Sequence, residues 1–347
     1  MHTPFRRGCF SLVLFTLAAL ASSNRAFAEI PWGVYDGFDG PGKGKHIVLI
    51  SGDEEYRSEE FLPMLGKILA KHHGFKCTAL FAVDPAKGTI DPNVTSNISG
   101  LESLDSADLM IISTRFRDLP DEQMEHIDRY VKSGKPIVGI RTATHAFNIP
   151  KGKTYAKYSF DSSEWDGGFG RQILGETWIA HHGEHGVQST RGVIASGEES
   201  NPIVRGCEDI WGPTDVYEVR LPLPGDSRPV LLGQVLTGMS PTDKPVEGKP
   251  NEPLLPVAWT KTYHGAKDNY GRVFTTTMGS GKDFECEGLR RLIVNASYWC
   301  LGMEGKIPEK SNVDLVGEYH ALPFGTNKFR KDIKPSDHAM KAEQKEE

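Results

Sequence analysis

Three short apolar runs constrain this chain more than any other feature: His46–Ser51, Ala107–Ser113 and Ile137–Ile140. Each is too short to be a core helix. None alternates with polar residues, so each has to be a strand buried on both faces. Helical segments lie between them. Ser58 precedes Glu59 and Glu60 in a first turn, Phe61, Leu65, Ile68 and Leu69 form an apolar stripe, and Gly74 ends the segment; the pattern predicts a helix capped by Ser58. Phe75–Phe81 reads as another strand. Pro120–Lys132 places Met124, Ile127, Tyr130 and Val131 on one face and stops at Gly134. Strand, helix, strand, repeated, predicts an α/β fold with a mostly parallel sheet and helices on both faces.

The last of these strands breaks at Gly139-Ile140-Arg141-Thr142-Ala143, a small-x-bulky-x-small turn. Small flanking residues suit a sharp strand-to-helix elbow that pushes one side chain into a crevice. Hydrolases and amidotransferases place Ser or Cys there. This chain places Arg141, so the elbow suggests a site without its usual nucleophile.

Residues 1–28 read as an export signal. Arg6 and Arg7 form a basic start, Phe10–Ala21 an apolar core too short to span a bilayer, and Ala26-Phe27-Ala28 a small-residue cleavage site before Glu29. Cys9 stands where a twin-arginine signal favours Phe, which points to the general export route. The expectation is a periplasmic or secreted protein with no membrane attachment after cleavage. Removing Arg6, Arg7 and Arg25 from 40 basic residues leaves 37 against 46 acidic ones, a net charge of −9, which argues against nucleic acid as a partner. Cys77, Cys207, Cys286 and Cys300 show neither a disulfide spacing nor a Cys-x-x-Cys pair, so no thiol is expected to be essential.

Residues 29–45 form a lead-in. Residues 151–186 have many Gly, aromatic and His residues and no period, and read as a lid-like excursion over the sheet edge. Short strands return at Arg191–Ala195, Val216–Leu221, Val230–Val235, Val257–Thr262 and Arg272–Thr277, and Glu287–Leu301 closes the pattern as a helix. Residues 303–347 form an extension, charged and aperiodic from about Thr326, where disorder is expected.

In open parallel sheets, ligands sit beyond the carboxyl ends of the strands. Those ends offer Asp53, Glu54, Glu55, Tyr56 and Arg57, then Thr114, Arg115 and Arg117, then Arg141, Thr142 and His145. Guanidinium, hydroxyl and carboxylate groups together suit a polyhydroxylated or anionic small molecule. The densest titratable cluster is His181-His182-Gly183-Glu184-His185. It matches a zinc peptidase pattern, but that chemistry needs a regular helix, and Gly183 and Gly186 oppose one. Imidazoles on a loop can instead move protons near neutral pH. No metal or other cofactor is expected; His181, His182 and His185 are the ligands if there is one. Trp178, Trp165 and Trp259 are candidate stacking faces, with Trp259 placed in the core. Asp215 and Tyr217 read as orienting residues.

Three further stretches carry a resemblance. Pro256–Tyr263 (PVAWTKTY), Gly271–Gly279 (GRVFTTTMG) and Arg290–Gly302 (RRLIVNASYWCLG) resemble the C-terminal half of the ThuA-like, or trehalose utilisation, family. The likeness spans His46 to Gly302. It implies a flavodoxin-like sheet of the class I glutamine amidotransferase type and a role in sugar metabolism. Family members often carry His within the elbow, where this chain has Arg141, and Gly-His after the late strand, where it has Gly279-Ser280.

These readings combine into one expectation. A protein exported from the cell acts on a small-molecule sugar, for instance an oxidised disaccharide, by His-mediated hydrolysis, isomerisation or elimination. Arg141, His145, His181, His182 and His185 are the expected catalytic set. Asp53, Glu54, Tyr56, Arg115, Thr142 and Trp178 are expected to bind substrate. A non-catalytic sugar-binding module and a metal-dependent hydrolase are the rivals, glutamine amidotransfer is excluded by the missing Cys, and homo-oligomerisation stays open. The export reading makes its own prediction: mass measurement of the exported protein should find a chain beginning near Glu29, and retention of Arg6 and Arg7 would contradict it.

Overall fold

The computed structural model describes residues 1–2 and 31–340. The expected export signal at 3–28 and the last residues of the tail, 341–347, lie outside the described residues. In chain order the strands are β1 Trp32–Tyr35, β2 His46–Gly52, β3 Lys76–Leu80, β4 Leu109–Thr114, β5 Ile137–Ile140, β6 Thr190–Ile194, β7 Trp211–Gly212, β8 Arg228–Val235, β9 Leu255–His264 and β10 Tyr270–Thr276. The α-helices are α1 Ser58–His73, α2 Asp121–Lys132 and α3 Glu287–Cys300.

All ten strands join one sheet in the order β1-β3-β2-β4-β5-β10-β9-β8-β6-β7. The expected neighbours β2, β4 and β5 are adjacent and parallel. Parallel pairing runs from β3 to β10. Antiparallel pairing then takes over from β10 through β9, β8 and β6 to β7, and β1 lies antiparallel on the other edge. The sheet is therefore mixed, not mostly parallel. The physical reason is the spacing of the late strands: β9 and β10 are joined by a loop of five residues, too short for the crossover a parallel pair requires.

Alternate side chains of one strand enter two cores, as the pleat requires. Ile47 and Leu49 of β2 pack with Phe61, Leu65 and Ile68 of α1 and with Leu292 and Ile293 of α3. Val48 and Ile50 enter the other core, which Met124, Ile127 and Val131 of α2 also line. Gly74 ends α1 in the left-handed conformation, as its position predicts. Ser58 does not cap α1. Arg57 holds the N-cap position with φ 65°, and the Ser58 hydroxyl bonds Ser51 Oγ at 2.8 Å instead.

Two other expectations change. Val216–Leu221 forms no sheet strand, because its backbone is taken by residues 180–183: His182 N and Gly183 N donate to Val216 O, and Glu218 N donates to Ala180 O. The tail from Thr326 to Met340 is ordered against the domain. Phe329 is buried, Ile90 N donates to Ile333 O, and the His338 ring stacks on Phe81 at 5.3 Å. A few spaced apolar anchors hold a segment whose average polarity argues for disorder. The excursion at 151–186 is pinned over β9 and β10, where Trp259 Nε1 and Thr275 Oγ1 both donate to Leu174 O.

The elbow forms as the small residues predict. β5 passes into a 3-10 turn at Arg141–His145 with Arg141 at φ 48°, a conformation that costs a non-glycine residue free energy and needs support from its surroundings. A Cβ on Gly139 would meet Leu174 at 2.8 Å. Beside it, Gly279 has φ 142°, and a Cβ there would lie 2.3 Å from Ile140. Gly279→Ala should therefore destabilise the fold by about 2–4 kcal/mol. Thermal unfolding checks this, and an unchanged melting temperature would contradict the packing described.

Candidate functional site

The carboxyl ends of β2, β4, β5 and β10 lie side by side, and their loops deliver the polar groups. Arg141 is the centre. It is fully buried, and its guanidinium is sandwiched by the Tyr217 ring at 3.8 Å and the Tyr56 ring at 4.6 Å. Nη1 donates to Asp215 O at 2.8 Å and Thr277 O at 2.6 Å, and Nη2 donates to Asp215 Oδ1 at 2.9 Å. Burial alone would raise the Asp215 carboxyl. Arg141 and the hydrogen bonds from His181 and His185 instead hold it well below the usual carboxylate range. Losing Arg141 would take the guanidinium from a buried carboxylate and leave it only the two imidazoles, a change that costs up to about 3–5 kcal/mol.

An ionised carboxylate only accepts hydrogen bonds, and this fixes the histidines. His181 Nδ1 lies 2.6 Å from Asp215 Oδ2, so Nδ1 carries a proton and Nε2 is left without a carboxylate partner. The ring is 35% exposed. His185 Nδ1 lies 3.1 Å from Asp215 Oδ1, and its Nε2 lies 3.3 Å from Glu55 Oε1. Both nitrogens face carboxylates, so both donate. The bonds to Asp215 and then Glu55 push the His185 pKa up to about 9 against the opposing effect of burial. The two rings are 4.5 Å apart. One imidazole that faces a single carboxylate thus stands beside one that faces two.

The other expected residues divide. Trp178 is partly exposed and touches both His181 and His145, at ring distances of 5.9 and 5.5 Å. His145 is buried among Phe116, Trp178 and Tyr217. Burial, then Arg115, Arg141 and His181, push its pKa well down. Arg141 is fully buried, with Nη1 and Nη2 bonded to Asp215 and Thr277, which places it as a positioning residue for Asp215. His182 turns away, with Nε2 2.9 Å from Pro250 O, because its own backbone N–H is held by Val216 O.

The acidic loop after β2 is equally internal. Asp53 is buried, accepts from Thr142 Oγ1 at 2.7 Å and from the backbone of Glu55 and Tyr56, and is raised by burial and by Glu54. Thr142 is therefore spent on Asp53. Glu54 pairs with Arg115 and Arg117. Tyr56 is buried under the Arg141 guanidinium, and burial pushes its phenol up to about 12. These groups bond mainly to one another and shape the floor of the site. The four thiols lie outside this network and form no disulfide; burial pushes Cys207 up to about 12 and Cys77 and Cys300 higher.

One arrangement could hold a cation. His181, His185 and Asp215 each offer a ligand atom, all within 4.8 Å of one another. Segment 181–185 is not helical: His181 bridges Tyr217 and a turn follows. The zinc peptidase geometry is therefore absent.

Sequence reasoning understated Asp215 and did not find Phe324. Asp215 and Tyr217 are two residues apart in extended chain, so both face Arg141; that spacing was the available signal. Phe324 stacks on Tyr56 at 5.6 Å and sits 5.2 Å from His185, and nothing local in the tail marks it.

Residues 46–300 match the family model described as ThuA, trehalose utilisation. The chain belongs to the ThuA family. Among solved structures, a ThuA-like protein from Parabacteroides merdae is 16% identical, with 77% of this chain and 93% of that one covered at a TM-score of 0.48. One from Bacteroides uniformis is 16% identical, with 77% and 95% covered at a TM-score of 0.46. No curated protein matches. Membership gives this ThuA chain a carbohydrate-related role.

The His185 pairing predicts a pH dependence. Its folded pKa rises from 6.5 to about 9, so the stability it contributes is complete below about pH 6.5 and is lost as pH rises through 9. With chelator present, unfolding free energy should fall by about 1–2 kcal/mol across that window. His185→Gln should flatten this slope in denaturant titrations; an equal slope in the variant would contradict the pairing.

Proposed function

We propose that this ThuA chain acts on a carbohydrate bearing a ring carbonyl, such as an oxidised disaccharide, by proton transfer at His181. The supporting observation is the 2.6 Å contact between buried Asp215 and His181 Nδ1. It leaves Nε2 as a base on a partly exposed ring, the same division of labour as an Asp–His pair in acyl-transfer enzymes. Glycoside hydrolysis ordinarily uses two carboxyl groups as acid and base. Here Asp53, Glu54 and Asp215 are all taken by internal partners. An imidazole base suits a more acidic proton, the C–H next to a carbonyl.

The step balances simply. His181 Nε2 takes the C–H proton, and the bonding pair moves onto the carbonyl oxygen as an enolate. The adjacent His185 imidazolium offsets that negative charge. The enolate then expels the glycosidic oxygen, which receives the proton from His181, giving elimination. Return of the proton to a different carbon gives isomerisation, and water added to the eliminated product gives net hydrolysis. Asp215 keeps His181 in register throughout. We also infer export to the periplasm or beyond, supported by the Arg6-Arg7 start and the Ala26-Phe27-Ala28 site, and a small sugar as the only partner the site requires.

A second reading is a metal-dependent hydrolase, favoured by the grouping of His181, His185 and Asp215. One experiment separates them. Trehalose and keto-trehalose are incubated with the protein in D2O, with and without chelator, and followed by NMR. The proposal expects exchange or loss of the C–H next to the carbonyl in keto-trehalose alone, unaffected by chelator. His181→Ala should lower kcat about 10²–10⁴-fold with little change in KM. Loss of activity with chelator and its return with Zn2+ would favour the metal reading. Binding of sugar without any turnover would favour a binding module.

A further inference from the structure

β9 runs past the start of β8. Arg228, the first residue of β8, pairs with Thr260, so residues 261–264 lie beyond its register, while β10 stays paired with them on the other side. The N–H and C=O of one strand residue point to the same neighbour. At Thr262 two side chains take the place of that neighbour. Asp226 accepts from Thr262 N at 3.0 Å and from its Oγ1 at 2.7 Å, and Lys261 Nζ donates to Thr262 O at 2.8 Å. A carboxylate and an ammonium are thus held side by side at one strand edge, by the two backbone groups of a single residue.

Neither charge is spent on the other. Lys261 is only 8% exposed, and it forms no ion pair among the described residues. Its ammonium has three N–H groups. One goes to Thr262 O and a second, at 3.4 Å, to Gln172 O; the third has no protein acceptor. Burial pushes the Lys261 pKa down against the attraction of Asp226, since a charge shut off from water needs a partner. The two side chains line a groove of about 420 Å³ whose walls include Trp165, Ile173 and Tyr263. The sequence marks Trp165 as a stacking face, and this is the groove it lines. The histidines are far off. β10 begins beside the groove, where Tyr270 pairs with His264, and ends next to Thr277, whose carbonyl holds Arg141. The seven residues of β10 span roughly 20 Å.

We infer that this groove is a second binding site, for a small zwitterion: an α-amino acid with an apolar side chain, its carboxylate on Lys261, its ammonium on Asp226 and its side chain on Trp165. The two charges of an α-amino acid lie one carbon apart, a spacing that suits partners held by one residue. A carboxylate alone would gain Lys261 and meet the repulsion of Asp226; an amine alone would meet the reverse. Only a ligand with both charges satisfies both groups. The volume suits one such molecule with its apolar side chain against the indole. The inference is independent of the proton-transfer reading, because no residue is shared with it.

Isothermal titration of the full mature chain with L-phenylalanine, 3-phenylpropanoate and 2-phenylethylamine tests this. The three probes share a ring and differ in charge. Wild type should bind phenylalanine at least about tenfold more tightly than either of the others. Lys261→Met and Asp226→Asn should each weaken phenylalanine about tenfold or more, and Trp165→Ala should weaken all three probes. Melting of each variant shows that it is folded. Asp226 is exposed, and Asn keeps an acceptor for Thr262, so Asp226→Asn carries the test if Lys261→Met does not fold. His181→Ala should bind phenylalanine as wild type does. A wild type that does not bind phenylalanine, or binds the singly charged probes as tightly, would overturn the inference. So would a folded Asp226→Asn with undiminished affinity, or loss of binding in His181→Ala, which would place the ligand at the histidines.

Discussion

Arg141 and Asp215 form an ion pair from which both side chains are shut off from solvent. Everything polar at this end of the sheet is arranged around it. A buried pair is supported by partners for its remaining donors and acceptors, and of the guanidinium nitrogens Nε has none. Here the guanidinium also takes two backbone carbonyls and two tyrosine faces, and the carboxylate takes two imidazoles. The elbow places Arg141 at a positive φ, and the pair helps hold it there. A structural ion pair thus occupies the elbow position where hydrolases and amidotransferases put a nucleophile, and the function proposed above places the chemistry one contact outward, at the histidines that the carboxylate orients.

The division between the histidines follows from what surrounds each. His181 faces one carboxylate and is left with a basic nitrogen. His185 faces two and holds both protons. His145 faces none, packs against Trp178, and its pKa is pushed well down by burial. Three rings of the same type, two of them 4.5 Å apart and the third joined to them through Trp178 and Tyr217, differ because Asp215 and Glu55 reach only two of them. The same logic explains why the acidic loop after β2 does not form a glycosidase pair: its carboxylates are already committed to Arg115, Arg117, Thr142 and the loop backbone.

Much of this architecture was legible in the sequence. The parallel centre was written in uniformly apolar runs, and the elbow in its small residues. Arg141, His145, Trp178 and the His181–His185 segment were all visible as candidates, and they do come together. Their roles were not visible, because role depends on burial and on partners distant in sequence. Arg141 and His145 are as polar as any surface residue until the loops of β2 and β10 and the segment around Asp215 close over them. The antiparallel half was misjudged because a β-branched run reads alike in either direction. The tail was misjudged because Phe324, Phe329 and Ile333 are isolated anchors in a polar segment, below what periodicity detects. Phe324 in particular gains its meaning only from Tyr56 and His185, far away in the chain.

The central claim is that Asp215 fixes the protonation of the two neighbouring imidazoles. Nitrogen-15 NMR of the histidine side chains in the metal-free protein reads this directly. At a pH where His181 is neutral and still below 9, the account predicts a His181 ring protonated at Nδ1 with a bare Nε2, beside a His185 ring protonated at both nitrogens. A neutral His181 carrying its proton on Nε2, or a His185 that has already lost a proton at neutral pH, would contradict it.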